Sequence, residues 1–151
     1  MSIEANKAVV HRVFKEVYTN GDLGKIDELF SADFVRHRTT GPDTTGTDAM
    51  KRYITGIRSV FPDLHPAVDS LVAEEDTVVA RLTVRGTQHG AFMGIAPTGK
   101  PVSIAEMQTM RDACRFDASN GHLELFKTTK KYDGDLGREM HGFPSSAELP
   151  V

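Results

Sequence analysis

A chain of 151 residues with 39% hydrophobic and 26% charged residues suits one globular domain with its own core, which excludes disordered and fibrous classes. Its 18 Lys+Arg against 21 Asp+Glu leave a net charge of -3, so nothing draws it to phosphate backbones or anionic lipid, and neither nucleic acid nor a membrane is an expected partner. The single cysteine, Cys114, can form no internal disulfide or thiolate zinc site, and the N-terminus lacks an apolar signal run, so a cytoplasmic location is expected.

In chain order, Val9, Val10, Val13, Phe14 and Val17 recur at helical spacing and predict a first helix over Ala8–Tyr18, ended by Asn20-Gly21. Asp22 can cap a short second helix whose buried stripe is Leu23, Ile26, Leu29 and Phe30. Asp33–Arg38 reads as a short strand, followed by the turn-rich loop TTGPDTTGTD. A third helix is predicted over Asp48–Phe61 with Thr47 as its cap, and Pro62 closes it.

After Pro62 the apolar period changes from about 3.6 to 2, the passage from helix to sheet. Leu64–Ala73 and Thr77–Gly86 predict a hairpin around Glu74-Glu75-Asp76. In its second strand Val78, Ala80, Leu82 and Val84 should meet the helices, whereas Val79, Arg81, Thr83 and Arg85 read first as a solvated outer face, with the lining of a cavity as the alternative. Val102–Phe116 and His122–Thr129 predict a further hairpin turning at Asn120-Gly121. One domain over residues 1–151 is expected, with a loose tail after about residue 143.

Several motifs reduce to ordinary structure. Gly94 to Lys100 nominally matches a phosphate-binding loop, yet Pro101 stands where a Ser or Thr is needed and a strand-like run follows. The six histidines form no helical metal pair, so no metal is expected. No nucleophile elbow is present, and Cys114 sits in a predicted strand rather than at a helix N-terminus. What remains is acid–base chemistry by carboxylates and imidazoles such as Glu106, Asp133, His37 and His89, which needs apolar walls to bring their pKa values towards neutrality.

The order helix, helix, short strand, helix, then antiparallel strands resembles the nuclear-transport-factor-2-like superfamily. EVYTNGDLGKIDELFSADFVRH, FPDLH and VARLTVRGTQHGAFMGIAPTGKPV sharpen this to a resemblance to the SnoaL-like polyketide cyclases, including the small ester cyclases, over about Asn6 to Val102. The most specific element is GTxxGxFxGxxPTGxxV, here Gly86 to Val102, whose glycines suit a tight path between strands more than any reaction.

The resemblance implies an α+β fold: a cone-shaped curved antiparallel sheet with three N-terminal helices packed on it, enclosing one pocket. It implies a cofactor-independent cyclase that closes a ring in an aldol reaction on a small hydrophobic or polyketide-like molecule, and a homodimer. It also implies a catalytic aspartate on the last strand. Counting without a gap from Phe126 puts Lys130 there, and counting back from His141-Gly142 puts Asp133 there. Asp133 is carried as acid–base group with His37 assisting. Arg85, Gln88, His89, Glu106, Phe61 and Tyr53 are the expected substrate-binding residues. The alternatives are a non-catalytic binding domain and cofactor-free hydroxylase, dehydratase or isomerase chemistry.

Overall fold

A computed structural model describes residues 2–37, 42–111 and 124–132, the last segment through its strand pairing. Ser2 opens the first helix, its Oγ accepting from the Ala5 amide at 3.2 Å and satisfying an otherwise orphan N–H. Helix α1 therefore begins at Ile3, not at Ala8. It runs to Arg12 and continues as a π-helical stretch, Val13–Thr19. The wider turn shows at its end, where Asn20 N donates to Lys15 O, five residues back, at 3.0 Å. Arg58 then donates to the carbonyls of Tyr18 and Thr19 at 2.9 and 2.7 Å, filling the orphan acceptors of that helix end.

Helix α2, Gly24–Leu29, completes a hairpin with α1 through Arg12, whose guanidinium meets Glu16 at 2.8 Å and Glu28 at 2.6 Å. Helix α3 spans Thr47–Val60. Thr47, the expected cap, is instead its first residue. Gly46 precedes it at φ 82°, a conformation that favours glycine, and its N–H donates to Phe34 O at 2.7 Å.

The strands are β1 Val35–His37, β2 Thr44–Thr45, β3 His65–Glu74, β4 Thr77–Thr87, β5 Pro101–Arg111 and β6 Glu124–Tyr132, in the sheet order β2-β1-β6-β5-β4-β3. All neighbours pair antiparallel except β1 and β6, which run parallel with His37 opposite Phe126. Two expectations are thereby corrected. The loop after β1 contains β2, which pairs Thr45 with Val35, and the last described strand extends past Thr129 to Tyr132.

Burial alternates along β4 as the sequence implies: Val78, Ala80 and Leu82 are fully buried, whereas Arg81 and Arg85 are exposed. The inner face of the sheet meets Val10, Val13, Phe14, Val17, Ile26, Phe34, Met50 and Ile54 in one apolar core. Register shifts at Val68/Ser70 and at Glu106/Met107 mark bulges, which bend a sheet and re-aim its side chains. Buried Asn6 fastens the helical layer to the β3–β4 turn, its Nδ2 donating to Glu75 O at 3.0 Å.

Asp133, Cys114, the Asn120-Gly121 turn, His122, His141 and the tail lie outside the described residues. Among the described residues no helix is long and apolar enough to cross a membrane, and no cluster of three His, Cys, Asp or Glu side chains is placed to hold a metal.

Candidate functional site

Two of the three sequence stretches that carry the family resemblance meet at a structural clamp. Asp63 of FPDLH accepts from Thr87 N at 2.6 Å and from Thr87 Oγ1 at 2.8 Å, locking the end of β4 to the segment after α3. A Cβ on Gly90 would stand 3.0 Å from Val60 Cα, and His89 N donates to Val60 O at 2.8 Å, so the loop backbone lies directly on the end of α3. Gln88, 3% exposed, holds the rest of this loop. Its Nε2 donates to Gly90 O and Ala96 O at 3.2 and 3.3 Å, and its Oε1 accepts from Thr98 at 2.8 Å.

The hydrogen bonds from the Thr87 backbone and hydroxyl hold the Asp63 pKa below its ordinary value of 3.8. A depressed folded-state pKa stabilises the fold above the unfolded value and loses that contribution as pH falls through the folded one. Melting temperature followed from pH 7 into acid should therefore drop below about pH 4, and Asp63→Asn should flatten that acid limb. An unchanged limb in the variant would remove the clamp from the account.

A second cluster lies inside the protein. Along β5 the inward positions Ile104, Glu106, Gln108 and Met110 alternate with outward ones, and Glu106 and Gln108 are 7% and 3% exposed. Gln108 Nε2 donates to Glu106 Oε1 at 2.9 Å. From β1, Arg36 points inward at 3% exposure and lays its guanidinium over the Tyr53 ring, 4.0 Å from the centroid. Tyr18, at the end of the π-helical stretch, packs edge-on against Tyr53 with ring centroids 6.5 Å apart.

The electrostatics bind these groups together. Burial lowers the Arg36 pKa, but the hydroxyls of Tyr53 and Tyr18 and the Glu106 carboxylate more than offset it, so Arg36 stays protonated. Burial, reinforced by Tyr53, pushes the Tyr18 hydroxyl well above the ordinary tyrosine range. Nearby Arg36 pulls the other way without reversing it, and Tyr18 remains a neutral O–H. The result is a fixed cation, a carboxyl group, an amide and two phenol side chains behind an apolar wall, the setting in which proton transfer at carbon is feasible.

Of the residues expected at a site, the structure brings Tyr53 and Glu106 together around Arg36. Phe61 is buried against Phe92, and Gln88 is spent on its own loop. Arg85 and His89 are exposed. His37, the strand neighbour of Arg36, takes the opposite direction, with Nδ1 2.7 Å from Asp43 Oδ2 in an exposed pair. Lys130 stands opposite Glu106 in the β5–β6 register. Arg36, Tyr18 and Gln108 were not among the expected residues, although Phe34 and Arg36 share the inward parity of β1.

Elsewhere, a shallow groove of about 320 Å³ between α1 and β3 is lined by Glu4, Lys7, His11, Val68, Asp69 and Leu71. Its two carboxylates are exposed, so nothing there desolvates an acid–base group, and the buried cluster is the better chemical site.

A family model described as SnoaL-like polyketide cyclase matches residues 8–112. No curated protein matches the chain. Among solved structures, AclR from Streptomyces galilaeus, described as a candidate hydroxylase, is similar at 29% identity over 84% of this chain and 91% of that one, with a TM-score of 0.67. A SnoaL-like candidate polyketide cyclase from Jannaschia sp. CCS1 is similar at 22% identity over 93% and 92%, TM-score 0.72. IdmH from Streptomyces antibioticus, a candidate polyketide cyclase, is similar at 24% over 81% and 91%, TM-score 0.64. The last two likenesses are of fold.

Proposed function

The chain belongs to the SnoaL-like polyketide cyclase family, and from that premise we propose that it closes a ring in a small polyketide-like ester by intramolecular aldol addition, using general acid–base catalysis without a cofactor. The observation that supports this reading is Glu106, a carboxylate buried on the inner face of the sheet beside a buried cation and an amide.

In this reading a carboxylate removes the proton from the carbon between two carbonyls. The resulting enolate carbon attacks a ketone carbon within the same molecule; one C–C bond forms, and the ketone C=O becomes an alkoxide. The alkoxide takes back a proton from the same carboxyl group, so atoms balance and no oxidant is needed. The inner wall holds the chain folded for attack, which replaces a bimolecular encounter with an oriented one. Glu106 is the described carboxylate for the task. Asp133, with His37 assisting, is the alternative that the family pattern suggests, and Arg85, Gln88 and His89 belong to that alternative.

A second reading draws on AclR, 29% identical and described as a candidate hydroxylase. Mass spectrometry of the product from an acyclic keto ester separates the two: ring closure leaves the mass unchanged, whereas hydroxylation adds an oxygen. Conversion of neither kind, with the ester bound, would leave a non-catalytic binding domain.

We also propose a homodimer through the outer sheet face, where Val72 and Met107 are 68% and 40% exposed. Light scattering at micromolar concentration should give twice the chain mass of 16.6 kDa, and a monomer mass would end this part of the reading.

A further inference from the structure

We propose that Arg36 binds the enolate of a 1,3-dicarbonyl unit, a planar anion whose charge is shared between two oxygens. The inference deepens the cyclase reading by naming what the buried cation recognises, and it rests on that reading for the class of guest.

Arg36 is 3% exposed, yet its Nε has no hydrogen-bond partner among the described residues, and no described carboxylate forms a salt bridge with it. Its charge is held by Tyr53, Tyr18 and Glu106 and not by a salt bridge, so its Nε–H remains a buried donor open to a guest. Stacking on Tyr53 occupies the face of the guanidinium. That leaves the edge, whose parallel N–H groups match a planar pair of oxygens bearing one shared charge.

The surroundings select among such anions. One further polar atom in the same neighbourhood is buried without a hydrogen-bond partner among the described residues, Gln108 Oε1, while the Tyr18 hydroxyl stands against Arg36 itself. A guest that offers oxygen acceptors to Arg36 and an O–H to Gln108 Oε1 would satisfy both, and a dicarbonyl enolate that bears a further hydroxyl does so. Glu106 contributes negative charge at Arg36, which disfavours a permanent second carboxylate while permitting an enolate formed as Glu106 takes up the proton.

The test uses the full chain and acetylacetone, whose enolate is followed by its ultraviolet absorption during a pH titration with protein in excess. The expected result is an enolate band appearing at least about one pH unit lower than in buffer, a tenfold preference for the anion. Arg36→Met should abolish the shift. Arg36→Lys, which keeps charge but not the planar fork, should retain only part of it, and it carries the comparison if Arg36→Met fails to fold by circular dichroism. Glu106→Gln, which removes the negative charge beside Arg36, should enlarge the shift. No shift with the wild type, a full shift in either Arg36 variant, loss of the shift in Glu106→Gln, or displacement by butyrate at the concentration where acetylacetone binds would overturn the assignment. A shift without ring closure keeps Arg36 and removes the cyclase, and ring closure without a shift does the reverse.

Discussion

Replacing Glu106 with Gln is expected to slow ring closure by about a hundredfold or more, the usual loss when a general acid–base group is removed. The substitution keeps shape and volume, and an amide oxygen can still accept from Gln108 Nε2, now 2.9 Å from the carboxylate. The protein should still fold, with a melting temperature lowered by the loss of negative charge beside buried Arg36. What disappears is the group that can take a proton from carbon and return it to oxygen. Rates for wild type, Glu106→Gln and Asp133→Asn, measured on one keto ester, decide between the two carboxylates. A rate preserved in Glu106→Gln and lost in Asp133→Asn would move the chemistry to the C-terminal segment.

Phe61→Ala should lower stability by about 3–5 kcal/mol, the range for truncating a buried phenylalanine. Phe61 is 6% exposed and meets Phe92 edge-on, with ring centroids 5.4 Å apart and planes at 72°. A Cβ on Gly86 would approach within 3.1 Å of it, so β4 has given up a side chain to admit the ring. For a domain of this size the melting temperature should fall by roughly 6–20 °C. Since the sequence also marks Phe61 as a substrate contact, thermal melts and KM are both informative. An unchanged melt with a raised KM would make the ring a wall of the site instead of a wedge under the loop.

The parts of the fold with a strong period were legible in the sequence. The stripe Met50, Ile54, Ile57 and the alternation Val78, Ala80, Leu82 each set one face of an element, and burial follows them. Boundaries set by single atoms were harder to read. The Ser2 cap moves the start of α1 back five residues from Ala8, and the positive φ of Gly46 fixes the start of α3. Pairing between distant segments was beyond periodicity altogether, since nothing local tells β1 to lie parallel to β6.

The site divides in the same way. Glu106 and Tyr53 were visible as chemistry-bearing residues on the right elements. Arg36 was hidden by its neighbour: His37 invites attention as an imidazole, yet one residue along a strand turns a side chain to the other face, and it is the arginine that turns inward. Tyr18 reads as an ordinary member of an amphipathic helix until the π-helical turn and Tyr53 place it beside Arg36. Gln88 looked like a binding residue because it stands in the most distinctive motif. Its amide is instead consumed by Gly90, Ala96 and Thr98, which is why that motif shapes a loop.

A crystal structure with a bound 1,3-dicarbonyl compound bears most directly on the interior face as the place of chemistry. The expected density puts the dicarbonyl oxygens at about 3 Å from the Arg36 guanidinium, with the acidic carbon facing Glu106. A compound seated on the outer face beside Arg85 or His89, or in the groove between α1 and β3, would contradict it.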